Sequence, residues 1–209
     1  MARYTNSRCK KCRRYGTKLF LKGDKCLGDN CTYQSRPTIP GQHGVTARRP
    51  KVTDYGTHLV EKQKAKFYYG IMETQFRRYY TEAAKQRKIP TGERLIQLLE
   101  LRLDNVIFRL GLSSSRNMAR QFVLHRKVFV NKRYVNIPSY RVKPGDQISF
   151  TSDFFNNVFV KDSVERDNVA PVWLKFDKAE KKAEVINLPQ KEDTNAPFNE
   201  QFIVEFYSK

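Results

Sequence analysis

The chain has 209 residues, with 40 Lys and Arg against 21 Asp and Glu, a net charge of +19. That length suits one ordinary domain or two small ones. The 39% hydrophobic content supports only a modest core, and no run approaches the ~18 apolar residues of a membrane-spanning helix. Met1-Ala2-Arg3-Tyr4-Thr5 opens no apolar stretch, which predicts no secretory leader and a reducing compartment. An excess of this size repels itself unless an anion neutralises it, which favours a nucleic-acid partner over an anionic membrane surface. Residues 1–50 carry a net +10, residues 51–150 a net +12 and residues 151–209 a net −3. The last quarter therefore reads as a structural closing segment.

All four cysteines, Cys9, Cys12, Cys26 and Cys31, fall within the first 31 positions with the spacing C-x2-C-x13-C-x4-C. Two short cysteine pairs joined by a loop can supply four thiolates about 2.3 Å from a tetrahedral zinc ion. Lys10, Lys11, Arg13 and Arg14 are expected to lower the thiol pKa values and favour the thiolates. The alternatives are two disulfides, which a reducing compartment disfavours, or unligated thiols. Four protein ligands would leave no open position, so the expected zinc is a single structural ion. The following stretch, Arg36 to Gly44, carries two prolines and two glycines and reads as a loop. Bare backbone at Gly41 and Gly44 permits close approach to a phosphate chain, with Gln42 and His43 as donors; a plain linker is the simpler reading.

Helical spacing runs from Asp54 to about Lys88, interrupted at Gly70. Asp54 or Thr57 is the expected cap of a first helix ending near Tyr69, and a second is expected from Glu73 to about Arg87. A third apolar face, Leu95, Leu98, Leu99, Leu103, Val106, Ile107 and Leu110, predicts one helix from Gly92-Glu93 to a closing Gly111. Asp104 lies within it in an Arg-Leu-Asp string that resembles the catalytic segment of pseudouridine synthases, but reads as a packing or surface carboxylate. A cap among Ser113, Ser114 and Ser115 opens a short helix, Arg116 to His125. Met118, Ala119, Phe122 and Val123 are placed inward, and Arg116 and Arg120 on one outward face. Strands are expected at 127–130, 133–136 and 147–150, with turns at Asn131-Lys132 and Pro144-Gly145-Asp146.

The run Arg102 to Asp146 contains S-R-x-x-A-x-x-x-V-x-x-x-x-V-x-V-N followed by I-P-S-Y-x-V-x-x-G-D. It resembles the RNA-binding module named after ribosomal protein S four. Further matching stretches lie along nearly the whole chain: Pro40 to Gly44, Asp54-Tyr55-Gly56, Glu61 to Lys64, Tyr69-Gly70, Gln75 to Tyr80 and Asn199 to Lys209. The chain thus resembles the bacterial-type S-four family of the small ribosomal subunit, in its four-cysteine zinc form. It departs from the module pattern where glycine is usual, carrying Arg126-Lys127 and Lys132 instead.

The resemblance implies an α+β chain: a loop-rich zinc segment (1–45), a helical domain (46–92) completed by a returning C-terminal segment (160–209), and an inserted S-four module (93–159) of two short helices on a small antiparallel sheet. It implies direct binding of 16S ribosomal RNA at a multi-helix junction and a part in early subunit assembly. It also implies a place near proteins S three and S five, beside the path by which messenger RNA enters, and an influence on decoding accuracy. No membrane or small-molecule substrate is implied, and the setting is the small ribosomal subunit of a bacterial cytoplasm or an organelle. The candidate RNA contacts are Arg3, Arg13, Arg14 and Arg36 in the head, and Gly41, Gln42, His43, Arg48 and Arg49 in the following loop. Lys62, Lys64, Arg77 and Arg78 are added on the helices, and Arg116, Arg120, Gln121, His125, Lys127, Asn131, Lys132 and Arg133 in the module.

Two rival functions are weaker. An RNA-modifying enzyme would need a catalytic domain that the acidic last quarter does not supply. A zinc-dependent DNA regulator would need a recognition helix for the major groove, and residues 9–31 are too loop-rich to provide one.

Overall fold

The computed structural model describes residues 3–44, 46, 53–165 and 170–208. The chain divides into two compact units, one formed by Met1–Leu95 with Asn195–Lys209 and the other by Ile96–Thr194.

In the first unit, the head that read as loop contains three short helices, α1 (Cys9–Tyr15), α2 (Asp24–Leu27) and α3 (Thr32–Ser35). Cys12, Leu19 and Leu21 form a small core, covered by Tyr15, Tyr33 and Phe67. Helix α4 (Asp54–Tyr68) is capped by neither residue expected: the Thr53 hydroxyl accepts from the Gly56 N–H at 3.2 Å. Helix α5 (Glu73–Lys85) follows, and the last helix, Glu200–Ser208, closes the unit. The closure is aromatic. Tyr207 stacks on Tyr80 at 4.6 Å between ring centroids, Phe206 meets Tyr55 at 5.7 Å, and Phe202 meets His58 at 5.2 Å.

Helix α6 (Thr91–Glu100) starts among residues of the first unit and ends among those of the second. The single helix expected from 92 to 110 is broken after Glu100, and α7 (Leu103–Arg109) begins anew. Arg102 is extended (φ −70°, ψ 136°) and bridges to Arg141, while the Val142 N–H donates to the Leu101 carbonyl at 3.0 Å and Leu103 N–H to that of Tyr140 at 2.9 Å. Pairing with 140–142 thus takes over the backbone groups that a continuous helix would use. The apolar period carries across the break because both sides are buried. Helix α8 (Arg116–Leu124) is capped by Ser115, whose hydroxyl accepts from the Met118 N–H at 3.4 Å.

The sheet is larger than the sequence suggested. Strands β1 (Val128–Val130), β2 (Arg133–Tyr134), β3 (Gln147–Phe150), β4 (Leu174–Asp177) and β5 (Lys182–Val185) form one antiparallel sheet in the order β2-β1-β3-β5-β4. Residues 160–194 were expected to complete the first domain, but they belong to the second unit, and only 195–209 return. The physical reason is alternation in β5: Ala183 and Val185 point into the core while Lys182 and Glu184 face out. A single core follows, with Val106, Ile107, Ala119, Val123, Val128, Ile148, Trp173 and Val185 all buried. This mixed helical and antiparallel architecture is the α+β class.

Candidate nucleic-acid interface

The most instructive geometry lies around α8, because the two arginines placed on its outer face are not there. Arg116 and Arg120 are 8% and 6% exposed. The Arg116 Nε donates to Asn105 Oδ1 at 2.7 Å, and its guanidinium lies 4.4 Å from the Phe108 ring centroid. Arg120 reaches Asp104, 3.5 Å from its carboxylate, and Arg102 binds the same carboxylate through two hydrogen bonds of 3.0 and 2.6 Å. Beside them Glu100, 1% exposed, accepts two bonds from Arg109 and one from Asn105. The expectation that Arg116 and Arg120 meet RNA is therefore corrected: they are core cations held by α7. Buried cations need charged and hydrogen-bonded partners, and these come from positions 11 to 16 residues away, beyond helical spacing.

Lys62 is corrected in the same way. Only 5% exposed, it donates to Glu73 at 2.8 Å and sits 4.6 Å from the Phe206 ring centroid. Glu73 also accepts from Lys66 at 3.2 Å and from the Tyr207 hydroxyl at 2.8 Å. Partial burial opposes ionisation of Glu73, yet these hydrogen bonds outweigh it and hold the carboxyl below the usual carboxylate range. Burial, reinforced by the Glu73 hydrogen bond, pushes the Tyr207 phenol far up. Lys64 is half-buried and tied to Glu61 at 2.7 Å. Asn131, exposed, spends its side chain on the turn: it donates to Asp146 at 2.8 Å and accepts from the Gln147 N–H at 3.0 Å.

The remaining candidates do reach solvent. Arg3, Arg14 and Arg36 are exposed, while Arg13 is half-buried and donates to the Thr38 carbonyl at 2.9 Å, pinning the loop behind it. Gly41, Gln42 and His43 form an exposed turn, where a Cβ at Gly44 would collide with the Ile39 carbonyl. Arg48 and Arg49 lie outside the described residues. Arg77 and Arg78 stand on the outer face of α5, in an open groove of about 580 Å³ lined also by Glu73, Thr74, Thr81, Glu82 and Lys85.

At the far end of α8, Gln121, His125 and Lys127 line one cleft of about 130 Å³ with Asp153 and Asn157. Lys127 touches Asp153 at 3.3 Å, an exposed pair of little energetic weight. Lys132 and Arg133 stand exposed at the tip of the β1–β2 hairpin. The departures from glycine fall where the backbone is left-handed: φ is 56° at Arg126, 49° at Asn131 and 66° at Lys132. Arg126 ends α8 in a Schellman motif, its N–H bonding the Val123 carbonyl and the Lys127 N–H that of Phe122. Positive φ at both 131 and 132 is the requirement of a two-residue type I′ hairpin.

The four thiols occupy one small body. Cys9 and Cys12 stand on α1, Cys26 on α2 and Cys31 at the start of α3; three of them are buried, and none is in a disulfide. Contrary to the expected effect of the basic neighbours, burial pushes the Cys12 and Cys26 thiols up, although N–H groups of Leu19 and Lys22 directed at these sulfurs oppose it. Among the described residues no group of three or more His, Cys, Asp or Glu side chains is arranged to hold a metal ion. The donor chemistry, four thiols in one body with N–H groups aimed at two sulfurs, nevertheless suits a structural thiolate-bound ion.

Residues 3–100 match the family described as Ribosomal protein S4/S9 N-terminal domain, and residues 101–148 match the S4 domain. The chain is 50% identical over 209 residues to the small ribosomal subunit protein uS4 of Dictyoglomus thermophilum, with all of both chains covered. It is 51% identical over 211 residues to that of Pelotomaculum thermopropionicum and 51% over 213 residues to that of Acidobacterium capsulatum, again with full coverage. The chain belongs to the uS4 family. The relatives it matches are named as proteins of the small ribosomal subunit. Its S4 domain begins at the helix break after Glu100, so the buried Arg102–Asp104–Arg120 cluster lies wholly within that domain.

Proposed function

We propose that this chain is a structural component of the small ribosomal subunit that binds 16S ribosomal RNA at a multi-helix junction. The observation that carries this reading is the full-length similarity to uS4 proteins, head, S4 domain and returning helix together. Its exposed cations are spread over the head loop, α5, the end of α8 and the β1–β2 hairpin. Such a spread suits several RNA helices meeting at one place, where A-form grooves offer mainly phosphates and 2′-hydroxyls. In this role the protein acts in the cytoplasm, helps nucleate subunit assembly and lies near proteins S three and S five where messenger RNA enters, with an effect on decoding accuracy.

The test is affinity for a 16S junction fragment against a blunt RNA duplex and a DNA duplex, across a salt series. Preference for the junction and a steep salt slope are expected; equal affinity for all three would reduce the protein to a non-specific polycation.

The reading includes one structural zinc ion on Cys9, Cys12, Cys26 and Cys31. Zinc supplies the head with a cross-link that its small core, Cys12, Leu19 and Leu21, lacks. Protein purified without chelator should carry one zinc per chain by elemental analysis. Rapid modification of all four thiols with no zinc present would reject it.

A further inference from the structure

We infer that the β1–β2 hairpin and the end of α8 form a pocket for one unpaired RNA nucleotide, its base stacked on Tyr134, its phosphate on Arg126 and its base edge on Asn136. The inference rests on the RNA-binding reading above and adds to it a single point of base recognition.

The geometry begins with the strand period. Tyr134 and Asn136 are two residues apart and share one face, while Val135 between them packs against the core. The Val135 N–H bonds the Val128 carbonyl, which sets Asn136 near the start of β1, beside the left-handed residue Arg126. Arg126, Tyr134 and Asn136 together line one open pocket of about 480 Å³, large enough for a nucleobase.

Each side chain is suited to its part. Tyr134 is 64% exposed, yet its ring is braced from behind by Phe129 at 4.0 Å between centroids. A braced, exposed aromatic face is a stacking platform for an unpaired base. Among the described residues no hydrogen bond or ion pair engages the side chains of Arg126, Tyr134 or Asn136. An asparagine amide offers a donor and an acceptor to a base edge. Arg126 supplies the third point, and its backbone makes the case sharper. A glycine would end α8 without strain at φ 56°, whereas an arginine there is conformationally disfavoured. Strained residues of this kind cluster at functional sites, and this one lines the pocket with a cation.

The test uses the full chain and a 16S junction fragment carrying 2-aminopurine at its unpaired positions, one at a time. The wild type should change the emission at one such position. Tyr134→Ala should abolish that change and weaken binding about tenfold, with the salt slope intact, and Tyr134→Phe should retain both. Arg126→Gly should fold at least as well as the wild type, bind more weakly and lose about 0.7 from the salt slope. Wild-type binding with an unaffected Tyr134→Ala variant, or an emission change independent of Tyr134, would overturn the pocket while leaving RNA binding in place. No preference of the wild type for the junction over a blunt duplex would instead remove the RNA reading on which the pocket depends.

Discussion

Arg116 and Arg120 on α8 and Arg77 and Arg78 on α5 look alike in sequence: paired basic residues on short amphipathic helices, each readable as an outward face. In the structure Arg77 and Arg78 are exposed along an open groove, whereas Arg116 and Arg120 are buried against α7. The difference lies in what the neighbouring element presents. Helix α7 brings Asp104 and Asn105 to α8, and the Phe108 ring to Arg116. A cation with a carboxylate or amide waiting on a packed neighbour goes inside; one facing only its own helix stays out. The count of basic residues therefore overstates the outward-facing cationic surface, because several of them are paired with carboxylates inside the fold.

The sharpest way to break this comparison is Asp104→Ala. It removes the carboxylate shared by Arg102, 1% exposed, and Arg120, and should cost about 3–5 kcal/mol in urea unfolding. A loss below 1 kcal/mol would mean that the cluster is not a buried ion network. Arg116→Ala comes next. It should lose about 1.5–3 kcal/mol of stability while leaving the salt slope of RNA binding unchanged. Arg77→Ala should do the reverse, with stability within about 0.5 kcal/mol and a slope smaller by about 0.7–0.9. An equal slope change in both variants would collapse the distinction.

Within the first unit, Glu73→Ala should cost about 1–2 kcal/mol, reduced from a fully buried case because the carboxylate is 43% exposed. Its pKa is lowered by folding, so its contribution is complete above the ordinary glutamate range and is lost as pH falls through the depressed value. Stability of the wild type should thus fall more steeply in acid than that of Glu73→Gln. The smallest effect concerns the hairpin: Lys132→Gly relieves φ 66° and should stabilise by about 0.5–1 kcal/mol, read as a raised urea midpoint. Destabilisation would show that the lysine side chain carries structural weight at the tip.

The sequence was informative wherever a local rule governs. Helices α4, α5 and α8 and strands β1 and β3 follow the 3.6- and 2-residue periods, with ends near those expected. The non-glycine residues at 126 and 132 stand where the backbone is left-handed, so comparison with the glycine pattern located both turns. What escaped depends on distant partners. The break after Glu100 is made by pairing with 140–142, and strands β4 and β5 join the sheet through β3. Neither changes the local period near it.

The candidate site divides along the same line. The amino-acid sequence alone established the charge excess and the four-cysteine spacing, because composition and spacing are properties of the chain itself, while the S4-type module was legible through the resemblance of the run Arg102 to Asp146. Only the tertiary structure decided which cations face outward. Lys62, Arg116 and Arg120 are withdrawn by partners 11 to 16 residues away, while Arg126, Lys132 and Arg133 remain exposed. The physical reason is that a long basic side chain can be buried when charged and polar partners offset its desolvation, and those partners are assembled by packing, not by adjacency in the chain.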